Sequence, residues 1–214
     1  MKILMGFVLT ILLALMGVAA GAGIEFLAFD PQVLPAGIQT QGKIVAGARW
    51  RNHLGENLLI ATQTGAKPSR GAGCGADADP CQDAEIYADH YLVRNAGVER
   101  LWTLTDFERD CPFDLYAGFL PDGLTLTLTD LDGDGLAEST LLYTLSCRSD
   151  VSPARLKLIL HEGKAKYAIR GTTRTYGAGG EKTVDPTLER NAPFKRFALE
   201  RWNRFVHETG FQQF

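Results

Sequence analysis

Apolar and polar residues alternate along most of this chain instead of recurring every three or four positions. Residues 124–129 read LTLTLT, a strict period of two. Residues 85–94 set Ile86, Ala88, His90 and Leu92 against Tyr87, Asp89, Tyr91 and Val93. Residues 43–51, 56–64, 99–107, 138–146, 155–161 and 166–173 are similar, with β-branched and aromatic residues frequent. Successive side chains of a strand point to opposite faces, so this pattern predicts half-buried strands. Tight turns such as Asn95-Ala96-Gly97 and Glu162-Gly163-Lys164 punctuate them. Together they predict a mainly β fold, an antiparallel meander or sandwich-like sheet. No strand–helix alternation exists, which excludes a doubly wound parallel sheet.

One segment changes period. After Asn191-Ala192-Pro193, the residues Phe194, Phe197, Ala198, Trp202, Phe205 and Val206 follow the i, i+3, i+4 spacing of one helix face. Asn191 is the expected N-cap, with Pro in the first turn. The spacing predicts a C-terminal amphipathic helix over about 193–208, so the class is α+β. Lys195, Arg196, Glu200, Arg201 and Arg204 fall on its solvated side. Residues 175–186 are Gly-rich and polar and read as a loop.

The first 22 residues obey neither period. Lys2 precedes an apolar run from 3 to 18, and Ala20-Gly21-Ala22 supplies small residues for cleavage, the pattern of a signal peptide rather than an uncleaved anchor. Trimming 1–22 removes Lys2 and leaves 192 residues, so the formal charge moves from −3 to −4. The remainder, 23–214, is expected to be one exported domain, periplasmic or secreted, with no stable membrane span. A weakly acidic chain without a basic block excludes nucleic acid as partner.

The cysteines fit export. Cys74, Cys81, Cys111 and Cys147 are even in number and no CxxC occurs, so disulfides are expected rather than a redox or metal motif. Four cysteines allow three connectivities. Spacing favours Cys74 with Cys81 around a turn-rich loop, and Cys111 with Cys147 across two extended segments.

The strongest chemical signal is Asp130-Leu131-Asp132-Gly133-Asp134-Gly135-Leu136-Ala137-Glu138. Carboxylates stand at positions 1, 3, 5 and 9, and Gly135 at position 6 permits the sharp turn that gathers their oxygens. Calcium takes six to eight such hard oxygens. Asp130, Asp132, Asp134, the Leu136 backbone carbonyl and Glu138 are the expected ligands, for a structural ion. Position 12 is Leu141, which supplies no carboxylate, and the flanks read as strands, so this is not an EF-hand. The loop resembles the calcium-binding turn of FG-GAP or VCBS-type β repeats.

Four segments carry a wider resemblance: Cys111-Pro112-Phe113-Asp114, the loop 129–138, Cys147 to Pro153 with Leu156-Lys157-Leu158-Ile159, and Lys166 to Gly171. Together they resemble a family of exported bacterial proteins known as surface polysaccharide biosynthesis proteins. The resemblance implies a link to cell-surface glycans, with a glycan or an envelope protein as partner. It transfers no catalytic residue. A bond between Cys111 and Cys147 is expected to clamp the base of the acidic loop, with Arg148 and Asp150 forming a surface pair.

Other motifs are absent or broken. There is no HExxH and no Gly-x-Ser-x-Gly. Glu181 interrupts the phosphate-loop-like stretch from Gly177 to Thr183. His90 and the tryptophans Trp50, Trp102 and Trp202 are expected to pack inside. Asp106, Glu108, Asp110 and Asp114 are close in sequence but mark no catalytic pair. The chain therefore reads as a non-enzymatic, calcium-binding envelope protein, an accessory or binding module in surface polysaccharide biosynthesis. The alternative is a glycan-modifying enzyme or hydrolase whose site no motif marks.

Overall fold

The computed structural model describes residues 23–69, 80–120 and 125–208. The expected signal peptide and Cys74 lie outside the described residues. The first half of the chain supplies β1 (Glu25–Leu27), β2 (Lys43–Asn52), β3 (Gly55–Gln63), β4 (Lys67–Pro68), β5 (Gln82–Arg94) and β6 (Gly97–Cys111). The second half supplies β7 (Asp114–Phe119), β8 (Leu126–Thr129), β9 (Glu138–Arg148), β10 (Arg155–Glu162), β11 (Ala165–Thr172), β12 (Arg174–Thr175), β13 (Ala178–Gly179) and β14 (Lys182–Val184). Two helices follow, α1 (Pro186–Glu189) and α2 (Ala192–Phe205).

The strands make two six-stranded antiparallel sheets and a small β12–β13 hairpin. The first sheet runs β1-β2-β3-β5, with β6 along the far side of β5 and β4 beside its start. The second runs β14-β11-β10-β9, then β7 and β8, both on β9. Each sheet is a meander, and the chain crosses once from β6 to β7. The expected mainly β, sandwich-like fold with a C-terminal helix is the one found.

Alternation decides what each face covers. Leu59, Ala61, Ile86, Ala88 and Leu104 of the first sheet meet Phe119, Leu141, Tyr143, Leu145 and Ile159 of the second in the interlayer core. The opposite face of the first sheet packs Leu58, Ile60 and Tyr91 under Phe29, Leu34 and Ile38. The opposite face of the second sheet packs Leu142, Leu156, Leu158, Leu160 and Ile169 against Phe194, Ala198 and Trp202 of α2. Strands β3 and β9 are thus covered on both sides, which explains their nearly unbroken apolar runs.

Helix α2 begins as expected: the Asn191 side chain accepts a hydrogen bond from the Phe194 N–H at 3.2 Å. It stops at Phe205, short of 208, because His207 bridges Arg174 instead. Residues 175–186 are not a plain loop. They contain β13 and the edge strand β14, whose polar sequence suits a strand paired on one side only.

Cys111 and Cys147 are bonded, their Cα atoms 5.6 Å apart, and the bond ties β6 of one sheet to β9 of the other. It does not clamp the acidic loop. That loop enters β9 at Glu138, and Cys147 lies nine residues further along, about 30 Å away at ~3.4 Å per residue. The expected Arg148–Asp150 pair is also replaced. Arg148 binds Glu208 at 3.1 Å, while Asp150 caps the turn by accepting from the Ser152 N–H.

Candidate metal centre

The acidic loop links β8 to β9, and its backbone folds back because Gly133 and Gly135 take φ of +77° and +81°. Both values are in the left-handed region, where a side chain is strained. Three short side-chain bonds fix the curl. The Gly135 N–H donates to Asp130 at 3.3 Å, the Asp134 N–H to Asp132 at 3.3 Å, and the Leu136 N–H to Asp134 at 2.7 Å. Each aspartate thereby turns inward while keeping a carboxylate oxygen for another partner. Asp130, Asp132 and Asp134 are exposed, Leu136 is half-buried, and Glu138 is 0% exposed.

Glu138 is the deepest group. Its carboxylate accepts from the Thr129 hydroxyl at 2.8 Å and the Leu131 N–H at 3.0 Å. Burial pushes its pKa up to about 7 despite those bonds, and Asp132 adds to the rise. A carboxyl so placed keeps its proton to a higher pH than an ordinary one, and a positive charge beside it would favour the ionised form.

Sequence reasoning missed one member. Glu162, read as a turn residue, ends β10 directly opposite Glu138 in the β9–β10 ladder. Its Oε1 is buried without a hydrogen-bond partner, and burial together with Asp132 and Asp134 raises its pKa. The signal that would find it is the register between two strands, which no local pattern displays.

Carboxylate oxygens of Asp130, Asp132 and Glu138 lie within 4.8 Å of one another, and so do those of Asp132, Asp134 and Glu162. Two oxygens on opposite sides of a calcium at 2.3–2.6 Å are about 4.6–5.2 Å apart, so both trios have the span of one hard cation. Among the described residues, none of the five makes an ion pair with Lys or Arg.

The other candidate groups are committed elsewhere. Asp106 accepts from the Tyr143 hydroxyl at 2.9 Å and from Lys157 at 2.5 Å, Glu108 pairs with Arg155, and Asp110 accepts from the Ser69 hydroxyl. Lys67, Tyr87 and Arg109 hold the Glu85 carboxyl at about 2 in a polar cleft near β4, against the opposing effect of burial. His90 is packed as expected, between Trp50 and Trp102 with ring centroids 5.0 and 5.6 Å away. Trp102 stacks in turn on His161 at 4.0 Å. Trp50 and Trp202 are core residues.

No helix among the described residues is long and apolar enough to cross a membrane. No protein-family model, curated protein or solved structure matches the chain.

Proposed function

We propose that this is an exported calcium-binding envelope protein. The ion's role is structural, and the protein acts as a non-catalytic accessory or binding module in surface polysaccharide assembly. The observation that carries the ion is a pair of carboxylate trios sharing Asp132, one with the fully buried Glu138, and no ion pair to Lys or Arg among the described residues. Mutual repulsion at ~4.8 Å is about 3–4 kcal/mol per ionised pair at an effective dielectric of 20, and a divalent cation offsets it. The ligands come from a loop and from two adjacent strands, so the ion would fasten the loop to the sheet.

Export is supported by the leader-like residues 1–22 and by the inter-sheet disulfide, a bond that persists in oxidising compartments. The glycan link rests on the sequence resemblance. Glu85 and Glu108, one at each cleft, are held in ion pairs with Lys or Arg, which favours binding over acid–base chemistry.

Thermal unfolding in EDTA and in millimolar calcium tests the ion. The melting temperature should rise with calcium, and Asp132→Ala/Asp134→Ala should abolish the rise. A wild-type melt indifferent to calcium would remove the proposal.

A further inference from the structure

The two sheets are not in step. Strand β5 faces β7, and β6 lies over β9 and β10 through Asp106 to Tyr143, Asp106 to Lys157, Glu108 to Arg155 and Trp102 on His161. The next strand of the second sheet, β11, has no described strand of the first sheet above it. Among the described residues β6 hydrogen-bonds as a strand to β5 alone, so its other edge is unpaired. The result is a step, with the β6 edge as its wall and the interlayer face of β10–β11 as its floor.

That floor is cationic. Arg155 and Lys157 of β10 and Lys166 and Arg170 of β11 stand an even number of residues from Ile159 and Ala168 of the interlayer core, so they share its face. Lys157 and Arg170 stand directly opposite one another, a like-charge pair that destabilises a sheet. Lys166 is depressed first by burial and then by Arg170, with Lys157 adding to it. Asp106, Glu108 and Asp185 offset three of these cations, the last only at 3.9 Å from Arg170. Lys166 has no carboxylate in pairing range among the described residues, and the Arg170 side chain is 48% exposed.

We infer that this step binds an extended acidic peptide segment of a partner protein, added as a strand to β6. Pairing between β5 and β6 is unbroken from Trp102 to Glu108, and the register shifts fall at its two ends. Seven residues of regular register are therefore offered, with the Phe107 N–H among them donating to Asp106 at 3.1 Å. A strand added about 4.8 Å beyond β6 lies over the β10–β11 part of the floor, where carboxylates on its alternate side chains would meet Lys166 and Arg170. Carboxylates at those positions complete the pairing that the floor lacks. Inward-pointing charges also bar an apolar strand, so they select as well as attract. An acidic glycan would match the charge but leave the β6 edge donors and acceptors unpaired, so the edge favours a peptide.

The test uses the full chain in EDTA, which separates it from the calcium proposal. A fluorescein-labelled seven-residue peptide alternating Thr and Glu is titrated by anisotropy at low salt. Its controls are the Thr–Lys analogue and the Thr–Glu peptide with alternate backbone nitrogens methylated. The Thr–Glu peptide should bind at least about tenfold more tightly than either control, and Lys166→Ala/Arg170→Ala should weaken it about fivefold or more. Arg196→Ala on α2 should leave binding unchanged, and the melting temperature of each variant reports its folding. Absence of saturable binding overturns the inference. Equal binding of the methylated peptide, or equal displacement by polygalacturonate per unit charge, replaces strand addition with a merely anionic surface and overturns it too.

Discussion

Replacing Glu138 by Gln should stabilise the ion-free protein near pH 7.5. The substitution keeps the shape and one oxygen to accept from Thr129 or Leu131, but removes the charge. Burial raises the Glu138 pKa from 4.5 to about 7. A carboxyl whose folded pKa is raised stabilises the fold only while protonated. That contribution is present below the unfolded value and is lost as pH rises through the folded one. The shift corresponds to about 3 kcal/mol across pH 4.5–7, an upper figure because side-chain relaxation reduces it. For a chain of this size that is roughly 6–12 °C of melting temperature. The assay is urea unfolding in EDTA from pH 5 to 8, read as the difference between Glu138→Gln and wild type. The variant should gain on wild type steadily between pH 5 and 7.5. At calcium a thousand times Kd the order should reverse, since the ion then adds about 4.1 kcal/mol to a chain that binds it, more than the variant gains. A difference that stays flat with pH, or a variant weaker than wild type in EDTA at pH 7.5, would refute the reasoning.

Cys111→Ser/Cys147→Ser should cost about 3.8 kcal/mol in the chain-entropy account of a 36-residue separation, measured by urea unfolding without reductant. The two buried imidazoles act on the acid side. Burial lowers His90 to about 4 and His161 to about 3, so their contribution is complete above pH 6.5 and falls away as pH drops towards those values. His90→Phe should therefore flatten the acid limb of a stability-versus-pH curve; an unchanged limb would count against burial as the cause. Trp202→Ala, in a fully buried position, should cost about 3–5 kcal/mol and detach α2, seen as lost protection of its amides in hydrogen exchange.

The strands that the alternation revealed were those with one wet face or two dry ones. β10 reads RLKLILH because Leu156, Leu158 and Leu160 face α2 while Lys157 and His161 face the interlayer. Strand β7 was hidden because its six residues follow a Pro-containing turn and end on a glycine and an aromatic. Edge strand β14 was hidden because Lys182 and Thr183 look like loop residues until β11 pairs with them. The curl of the acidic loop was legible, since position-specific Asp and Gly are a local code. Glu162 was not, since its place depends on a ladder partner 24 residues earlier in the chain. The same limit misplaced the disulfide: sequence brought Cys147 near the loop, but an extended strand carried it to the far end.

Strand β9 is consequently pinned at both ends by fastenings of different kinds. One end has carboxylates that need a divalent cation, on the reading proposed above, and the other has a sulfur bridge that needs an oxidant. A reducing, calcium-poor interior supplies neither. Newly made chain would remain loose there at the strand that holds the two sheets together. On that reading it would lock only after crossing into a compartment that furnishes both, and the fold itself would act as a checkpoint on where the protein matures.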